Sequence, residues 1–496
     1  MKNLALLEQA QSHGDRLAIR QGVREFSYAD LLNASECIAS ALLGSESDLN
    51  QNRVGLLCPS AQEFTVSQWG VWRAGGICVP MSSSATSSEL EHAISDSRPI
   101  KILAQREHFD KLETVCRKLS VSILALDDAA KCDRVILPEV ASPRNAMILY
   151  TSGTTSKPKG VVTTHENIEA QIRSLVEAWG WMPDDRIPLF LPLHHIHGII
   201  NVLSCALWTG AQIDAFDSFE LSSILGRIAD KRYSLFMAVP TIYVKLIQAI
   251  EAADVHDNQP WIDGFRSLRL MVSGSAALPA SVHEKWTALT GQRLLERYGM
   301  TEIGMALSNP LNGERRPGFV GIPLPKIEIR LKSETGSVIQ TESEPGEIQV
   351  RGPTVFQEYW DRAEATRESF DDGWFRTGDM AVIEENYYRI MGRMSVDILK
   401  SGGYKLSALE IEEVLLQHPQ VIQCAVVGIP DATWGEAVAT ALVLRGNEPL
   451  ELEALRSWCR ERLSPYKIPK LIKVVAELPR NAMGKVVKPT VKGLFE

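Results

Sequence analysis

The chain has 496 residues, too many for one hydrophobic core, so roughly two to four domains or subdomains are expected. Apolar residues make up 45% and charged residues 23% of the chain, as in ordinary globular enzymes. The formal net charge of −9 argues against a nucleic-acid-binding surface, although a pocket for a small anion needs only a few cations.

Targeting signals and cysteine chemistry are not prominent in the sequence. No run approaches the ~18 uninterrupted apolar residues of a membrane-spanning helix, so no membrane span is expected. The segment MKNLALLEQAQSHGD has an apolar run too short for a secretory signal, and its Glu8 and Asp15 disfavour a transit peptide. The eight cysteines occur singly, without zinc spacing, so reduced thiols and a cytoplasmic location are expected.

The first part of the chain alternates short apolar runs with amphipathic ones. The runs typical of buried strands are RVGLLCPS, GICVPMS, IKILAQ, RNAMILYT and GVVTTH. The runs with helical spacing are AQEFTVSQWGVWRAG, SSELEHAISDS and ENIEAQIRSLVEAW. Strands that alternate with helices predict crossover units, and therefore an α/β fold with mostly parallel sheets flanked by helices.

After about residue 310 the character of the chain changes. KIEIRLK and GEIQVRG alternate apolar and polar residues, as half-exposed strands do. Ser407 and Glu410 predict a capping box before a helix, which VIQCAVVGIP, ELEALRSWCRERL and LIKVVAEL follow as strand, helix and strand. We therefore predict an N-terminal domain over residues 1–393, including a strand-rich subdomain, and a small mobile α+β domain over residues 394–496.

The segment YTSGTTSKPKG (150–160) concentrates turn residues and hydroxyl groups directly after a predicted strand. Successive N–H groups in such a loop can converge on an anion, and Lys157 and Lys159 supply charge for phosphate oxygens. The spacing of a Walker A motif is absent. The residues alone favour a polyphosphate-binding loop over a plain flexible turn.

This segment closely resembles the phosphate loop of the adenylate-forming superfamily, which comprises acyl-CoA synthetases, luciferases and peptide-synthetase adenylation domains. Further segments resemble signatures of that superfamily in the same order: LPLHHIHG (191–198), ERYGMTE (296–302), GWFRTGD (373–379), GRMSVD (392–397), SGGYKLSALEIE (401–412) and PRNAMGK (479–485). The resemblance implies that a carboxylate attacks the α-phosphorus of ATP, giving acyl-AMP and pyrophosphate, and that a thiol then displaces AMP. Ser156 stands where glycine is usual, so we expect altered loop mobility with nucleotide binding retained.

The resemblance also implies roles for individual residues in binding Mg-ATP. The β- and γ-phosphates would be held by Thr151, Ser152, Gly153, Thr154, Thr155 and Lys159. Tyr298 would stack on adenine, Thr301 would contact the α-phosphate, and Glu302 would coordinate Mg²⁺. Asp379 would accept hydrogen bonds from both ribose hydroxyls, with Arg393 also reaching the ribose.

The C-terminal domain would act in both half-reactions. Lys485 would neutralise charge at the forming acyl-phosphate bond, and the loop of Ser401, Gly402, Gly403 and Tyr404 would line the CoA tunnel. The hinge of the family lies two residues after the arginine, but GRMSVD has one more residue before its aspartate than the commoner pattern. Ser395 and Val396 are therefore both hinge candidates.

The acid to be activated is indicated by three further residues. His195 occupies the family position beside the substrate carboxylate, whereas zinc binding by His194, His195 and His197 is disfavoured because no carboxylate or cysteine accompanies them. Arg297 directly precedes the adenine-stacking tyrosine, and a buried arginine without a partner is costly. A substrate carboxylate would satisfy it, with a structural bridge to Glu296 as the alternative.

LLERYGMTE, LPLHHIHG and MVSGSAALP together resemble malonyl-CoA synthetases, in which Arg297, His195 and Ser275 would fix the distal carboxylate. The sequence leaves open methylmalonate, because one methyl group discriminates by only ~1–3 kcal/mol. Another short, medium-chain or aromatic acid is a separate alternative. The sequence also leaves open a carrier-protein thiol in place of CoA. A non-catalytic nucleotide-binding relative is disfavoured, since the charged motif residues are all present.

Overall fold

The computed structural model describes residues 4–151, 158–401, 404–431, 433–446, 448–480 and 486–495. Up to residue 151, the elements in chain order are α1 (Ala5–Ser12), β1 (Leu17–Gln21), β2 (Arg24–Ser27), α2 (Tyr28–Leu43), β3 (Arg53–Leu57), α3 (Ala61–Arg73), β4 (Ile77–Pro80), α4 (Ser87–Ser97), β5 (Lys101–Ala104), α5 (Phe109–Leu119), β6 (Ser122–Ala125), α6 (Leu126–Ala129) and β7 (Asn145–Thr151).

The middle of the chain continues the alternation of strands and helices. Its elements are β8 (Lys159–Thr164), α7 (His165–Trp179), β9 (Arg186–Leu189), a π-helix (His197–Ser204), α8 (Cys205–Thr209), β10 (Gln212–Ala215), α9 (Leu221–Ala229), β11 (Leu235–Ala238), α10 (Pro240–Ala252), α11 (Val255–Ser267), β12 (Leu270–Ser273), α12 (Ala280–Thr290), β13 (Leu295–Met300) and β14 (Gly304–Ser308).

The last part is richer in strands, as its alternating pattern predicts. Its elements are β15 (Ile322–Pro323), β16 (Glu328–Lys332), β17 (Gly346–Arg351), β18 (Glu358–Tyr359), α13 (Ala363–Glu368), β19 (Phe370–Asp371), β20 (Trp374–Glu384), β21 (Tyr387–Arg393), β22 (Ile398–Ser401), β23 (Tyr404–Ser407), α14 (Ala408–Leu415), β24 (Val421–Asp431), β25 (Gly435–Leu444), α15 (Leu452–Arg460), β26 (Leu471–Val474) and α16 (Lys488–Lys492).

The largest sheet has seven strands in the order β18-β8-β7-β4-β3-β5-β6. Strands β7, β4, β3, β5 and β6 are parallel, which confirms the predicted α/β fold with a mostly parallel sheet. Strand β8 instead runs antiparallel to β7, so the two form a hairpin in which Thr151 pairs with Lys159. The predicted phosphate loop connects the ends of this hairpin, and its residues 152–157 lie outside the described part of the chain.

In the described part of the chain, the large domain contains three further sheets, two of which carry predicted motifs. One has the order β2-β1-β10-β9, a second the order β11-β12-β13-β14-β15, and a third the order β16-β17-β20-β19 with β21 paired to β20. The segment ERYGMTE covers β13 and the turn before β14. GWFRTGD ends on β20, opposite β21, which carries the arginine of GRMSVD. Pairing between β20 and β21 therefore places GWFRTGD beside GRMSVD, although the two motifs are separate in the sequence.

The large domain is built around one apolar core in which Trp69, Trp72, Trp179 and Trp286 are fully buried. The indole N–H groups of two of them are satisfied, because Trp72 donates to the carbonyl oxygen of Ala146 at 2.7 Å and Trp179 donates to Ser308 Oγ at 3.0 Å. Burying aromatic rings with their polar atoms paired is the favourable case for a core.

The C-terminal residues form a sheet of their own in the order β23-β22-β25-β24, with β26 parallel to β25. Its apolar cluster, which includes Leu399, Ile411 and Leu455, is separate from the core of the large domain. Strand β21 ends at Arg393 in one sheet and β22 begins at Ile398 in the other. The division into residues 1–393 and 394–496 stays a prediction.

The capping box predicted at Ser407 and Glu410 is half formed. Ser407 Oγ accepts a hydrogen bond from the backbone N–H of Glu410 at 3.2 Å, as an N-cap should. The predicted reciprocal bond, from the backbone N–H of Ser407 to the Glu410 side chain, does not form, because that carboxylate pairs with Lys467 instead. A tertiary ion pair with Lys467 thus replaces the local hydrogen bond that the capping-box pattern predicts for Glu410. Along the part of the chain that the structure describes, no helix is long and apolar enough to cross a membrane.

Candidate active site

Arg297 lies on β13 with only 4% of its surface exposed. Its Nη2 donates to Ser275 Oγ at 3.5 Å, and its Nε has no hydrogen-bond partner among the residues described. Burial lowers the pKa of Arg297 to about 9, although nearby Glu296 opposes this shift. The guanidinium is therefore still protonated at neutral pH, in a setting where an unpaired charge is costly.

The alternative of a structural bridge to Glu296 is disfavoured. Neighbouring residues on a strand point to opposite faces, and Glu296 Oε1 accepts instead from the backbone N–H of Leu278 at 3.1 Å. Within the described ranges, no carboxylate forms an ion pair with Arg297. A bound anion is the partner that this guanidinium still needs.

Ser275 lies beside the guanidinium of Arg297 because the loop after β12 turns sharply. Its φ is +70°, a left-handed conformation that is uncommon for serine. Its Oγ also shares a hydrogen bond of 3.0 Å with Nδ1 of His197. Because Arg297 can only donate, Ser275 Oγ accepts from it and can donate its own O–H to His197 Nδ1.

His197 is the pocket residue that sequence reasoning missed, since the distal-carboxylate role was given to His195. Burial, and then the charge of Arg297, hold the pKa of His197 well below its usual value, so the ring is neutral. Its Nε2 makes no hydrogen bond within the described part of the protein, which leaves a donor for an anion. The sequence feature that could have indicated His197 is its position at the start of an apolar run, two residues after His195.

His195 and His194 lie next to each other, with ring centroids 4.1 Å apart. Burial lowers the pKa of His194 to about 4, so this ring is neutral at physiological pH. Both side chains are partly exposed, unlike His197. No cluster of three or more histidine, cysteine or acidic side chains suited to a metal occurs among the described residues. The role of His195 beside the adenylate stays a prediction.

Gly274 leaves the space that the Arg297 guanidinium occupies. A Cβ built at residue 274 would lie 2.4 Å from both Cζ and Nε of Arg297, closer than real carbon contacts. The glycine therefore permits the arginine to pack against the backbone before Ser275.

We expect Gly274→Ala to displace the guanidinium and to lower kcat/KM for malonate by about 100-fold, the cost of one misplaced charged hydrogen bond. Activity with propionate, which lacks the second carboxylate, should change less than malonate activity. Pyrophosphate release measured with both acids checks this. Gly226→Ala is the matched control, because a Cβ there meets nothing within 4 Å. An equal loss with both acids would contradict the assignment.

The residues assigned to adenine and ribose meet at the β20–β21 pair. Asp379 Oδ2 accepts from the hydroxyl of Tyr298 at 2.6 Å, and Asp379 Oδ1 accepts from Arg393 Nε at 3.0 Å. Arg393 is further fixed by donating from Nη2 to the carbonyl oxygen of Thr377 at 3.1 Å. The structure thus brings together three residues from motifs that are up to 95 positions apart.

Glu302 is the candidate magnesium ligand and is 5% exposed. Its Oε1 accepts from the Tyr359 hydroxyl at 3.0 Å, and burial raises the pKa of Glu302. The amine of Lys159 lies 4.9 Å from the centroid of the Tyr359 ring. A carboxylate suits Mg²⁺, which takes most of its remaining ligands from water and substrate phosphates. The donor set therefore fits the ion.

Thr301, assigned to the α-phosphate, borders a cavity of about 10 Å³ beside Thr163, Gln171 and Thr354. That volume holds about one water molecule. Polar and apolar side chains both line this cavity, and the assignment of Thr301 to the α-phosphate stays a prediction.

Helix α4 fixes both ends of the predicted phosphate loop. Asp96 accepts from the Tyr150 hydroxyl at 2.9 Å, directly before Thr151. At the other end, His92 Nε2 lies 2.8 Å from the carbonyl oxygen of Pro158. Ser152, Gly153, Thr154 and Thr155 lie outside the described residues, so their assignment to the phosphates stays a prediction.

The predicted CoA loop lies where β22 meets β25. Ser401 is 1% exposed and pairs with Gly435, whereas the ring of Tyr404 stacks on Tyr466 with centroids 4.4 Å apart. Trp434, which sequence reasoning did not single out, adjoins this loop with 42% of its surface exposed. The amine of Lys470 lies 3.5 Å from the centroid of its indole. Gly402, Gly403 and Lys485 lie outside the described residues.

The hinge candidates Ser395 and Val396 lie in the turn between the domains. Before the turn, Arg393 pairs with Asp379; after it, Asp397 pairs with Lys488 at 2.6 Å. Asp397 also closes the turn, because its backbone N–H donates to the carbonyl oxygen of Arg393 at 2.7 Å. Rotation would therefore act on residues 394–396, and the choice between the two candidates stays a prediction.

The burial of Glu296 is expected to make the stability of the folded protein depend on pH. Its Oε2 has no hydrogen-bond partner within the described ranges, and burial raises the pKa of Glu296 to about 8, with Glu413 acting in the same direction. The folded state therefore keeps a proton that the unfolded chain loses near its ordinary pKa of ~4.3. This contribution to stability is complete below that value and is lost as the pH rises to about 8.

We expect Glu296→Gln to flatten this dependence and to be more stable than the wild type by about 2–4 kcal/mol at pH 8. The amide oxygen can still accept from Leu278, so the loop contact is kept. Thermal midpoints of both proteins between pH 5 and 9 check this. Glu453→Gln, at an exposed site, serves as the control. Parallel curves for wild type and Glu296→Gln would contradict the raised pKa.

Comparison with known proteins identifies the family of this chain. Residues 6–360 match the family of AMP-binding enzymes, and residues 410–485 match the AMP-binding enzyme C-terminal domain. The chain belongs to the AMP-binding enzyme family, which confirms the resemblance to adenylate-forming enzymes.

The relatives most similar in sequence include malonate–CoA ligases. The mitochondrial malonate–CoA ligase ACSF3 of Bos taurus is 44% identical over 97% of this chain and 88% of the bovine protein. The human ACSF3 protein is 42% identical over 98% of this chain and 91% of its own length. The malonate–CoA ligase of Arabidopsis thaliana is 37% identical over 99% of this chain and 88% of its own length. The predicted cytoplasmic location is not confirmed.

Solved structures show the same arrangement. The chain superposes on ATP-bound MatB from Rhodopseudomonas palustris with a TM-score of 0.91, at 31% identity and with both chains fully covered. The apo form of the same protein gives a TM-score of 0.82, with 100% of this chain and 99% of that chain covered. This confirms the predicted adenylate-forming fold.

Proposed function

We propose that this protein is an acid–thiol ligase that forms malonyl-CoA from malonate, ATP and CoA, with AMP and pyrophosphate as products. The observation that carries the proposal is the buried guanidinium of Arg297, which lacks a carboxylate partner among the described residues. The similarity to malonate–CoA ligases over nearly the whole chain supports the same substrate.

In the first half-reaction, Arg297, Ser275 and His197 would hold one carboxylate of malonate, with His195 beside the other. The free carboxylate attacks the α-phosphorus, so two anions must approach each other. Thr151, Lys159 and Thr301 would hold the triphosphate. Mg²⁺ at Glu302 would supply charge that offsets the phosphates, and Lys485 would act at the forming bond.

Asp379, Tyr298 and Arg393 would position the nucleoside, so that the α-phosphate faces the acid. In the second half-reaction, the thiol of CoA displaces AMP. Ser401, Gly402, Gly403 and Tyr404 would line its path, and the exposed ring of Trp434 would add an apolar surface beside them. Ser395 or Val396 would be the pivot between the two half-reactions.

The test is pyrophosphate release with Mg-ATP and CoA over a panel of acids, with the nucleotide product identified. We expect AMP as the product and the highest kcat/KM with malonate. The panel includes methylmalonate, propionate, octanoate and coumarate; higher turnover of octanoate or coumarate would contradict the malonate assignment. Release of ADP would contradict adenylation itself. Faster transfer to a pantetheinylated carrier protein than to CoA would change only the acceptor.

A further inference from the structure

Helix α12 begins without a capping side chain of its own. Pro279 occupies the N-cap position, and its side chain cannot accept a hydrogen bond from the first turn. The backbone N–H of Ala280 donates instead to Oε1 of Glu413, 3.0 Å away. Glu413 belongs to α14, in the small domain, and its negative charge is favourable at the positive end of a helix.

The loop that leads into α12 also carries the acid-binding serine. It runs from Gly274 to Pro279, and Ser275 within it contacts His197 and Arg297. Leu278, further along, donates its N–H to Glu296. The loop is therefore held at three points, two of which lie in the large domain and one of which comes from the small domain.

We propose that Glu413 is a positioning residue that couples the acid-binding loop to the small domain. When the small domain docks as described, Glu413 caps α12 and holds the loop that presents Ser275 to the acid. When the small domain moves away, α12 loses its cap and the loop loses one of its three attachments. Acid binding and docking then favour each other, because linkage between two equilibria is reciprocal. This inference rests on the proposed function of the Arg297 pocket.

The contact can be removed from either side. Glu413→Gln removes the charge, and Glu413→Ala removes the acceptor. Ala280→Pro removes only the donor: proline is favoured at the first helical position, and Pro279 already has the ψ of 133° that a residue before proline prefers. Glu453→Gln is the matched control, since Glu453 is an exposed acid on another helix of the small domain that pairs with Arg456 and Arg460.

Malonate-dependent exchange between pyrophosphate and ATP measures the adenylation step. We expect Glu413→Ala and Ala280→Pro each to raise KM for malonate by about 5–10-fold, which is less than the roughly 10–100-fold of one hydrogen bond to a charged group because the contact acts on the acid only through the loop. KM for ATP should stay within about twofold, as expected if the effect acts on the acid loop. The double variant should match either single variant, because both remove the same bond.

Additive effects in the double variant would overturn the proposal, as would an equal rise of both KM values or an unchanged KM for malonate. Amide hydrogen exchange provides a readout that needs no substrate: peptides covering residues 274–282 should exchange faster in Glu413→Ala and at the wild-type rate in Glu453→Gln. Unchanged exchange in Glu413→Ala would also overturn it. If the wild type activates another acid, the proposed function fails, while the double variant and hydrogen exchange still decide this inference with that acid.

Discussion

Replacing Arg297 with methionine is expected to lower kcat/KM for malonate by about 1,000-fold or more, while kcat/KM for propionate falls less than tenfold. Two hydrogen bonds from a charged donor are worth about 3–6 kcal/mol, and every ~1.4 kcal/mol is tenfold. Methionine keeps much of the apolar stem, so the loss should come from the guanidinium. Pyrophosphate release with malonate, methylmalonate and propionate measures the selectivity directly.

Two comparisons separate binding from structure in that experiment. Arg315→Met removes a partly buried arginine, one that donates to the backbone carbonyl oxygens of Arg293, Pro310 and Leu311. It should lower the thermal midpoint without changing the preference among acids. Arg297→Lys keeps the charge but loses the planar donor geometry, and should recover only part of the malonate activity. An Arg297→Met enzyme that still prefers malonate to propionate would show that the arginine is structural.

The alternation of strands and helices could be predicted from the sequence because it depends on local burial patterns. The phosphate loop was also locally visible, since turn residues and lysines lie within eleven positions. The direction of β8 was not, because a hairpin and a crossover begin with the same strand pattern. It was settled by the pairing of Thr151 with Lys159, which the short loop between them permits.

The details of the acid pocket depended on contacts that no local pattern reports. His197 meets Ser275 across 78 positions of the chain, and only the left-handed turn at Ser275 brings its hydroxyl there. Glu413 reaches Ala280 across 133 positions. Glu410 likewise pairs with Lys467 and not with the local partner that the sequence predicts. In each case a tertiary contact satisfies a charge or hydrogen-bonding group that the local sequence leaves open.

The nucleotide site makes the second strong prediction, which concerns Asp379. Its two oxygens accept from Tyr298 and Arg393, and the resemblance to adenylate-forming enzymes assigns this residue to the ribose. A carboxylate has about four lone-pair sites, so it can accept from both ribose hydroxyls as well. The guanidinium of Arg393, which donates to Oδ1 of Asp379 at 3.0 Å, holds the carboxylate in one orientation.

Asp379→Ala is therefore expected to raise KM for ATP by about 100-fold or more, through the loss of two hydrogen bonds to a charged acceptor, and to leave KM for malonate nearly unchanged. The sharper measurement compares ATP with 2′,3′-dideoxy-ATP, which lacks both hydroxyls. The wild type should prefer ATP strongly, whereas Asp379→Ala should treat the two nucleotides almost alike. Asp379→Asn keeps one acceptor oxygen, so its preference for ATP over 2′,3′-dideoxy-ATP should lie between those of the wild type and Asp379→Ala.

The matched control is Glu384→Ala, because Glu384 also lies on β20 and pairs across the same hairpin, with Arg389. It should affect stability at most, since neither residue has a role assigned in nucleotide binding. If Asp379→Ala weakens ATP and dideoxy-ATP by the same factor, the carboxylate serves only to hold Arg393 and Tyr298 in place. A collapsed preference between the two nucleotides, with the Glu384→Ala preference intact, would instead identify the carboxylate as the group that binds the ribose.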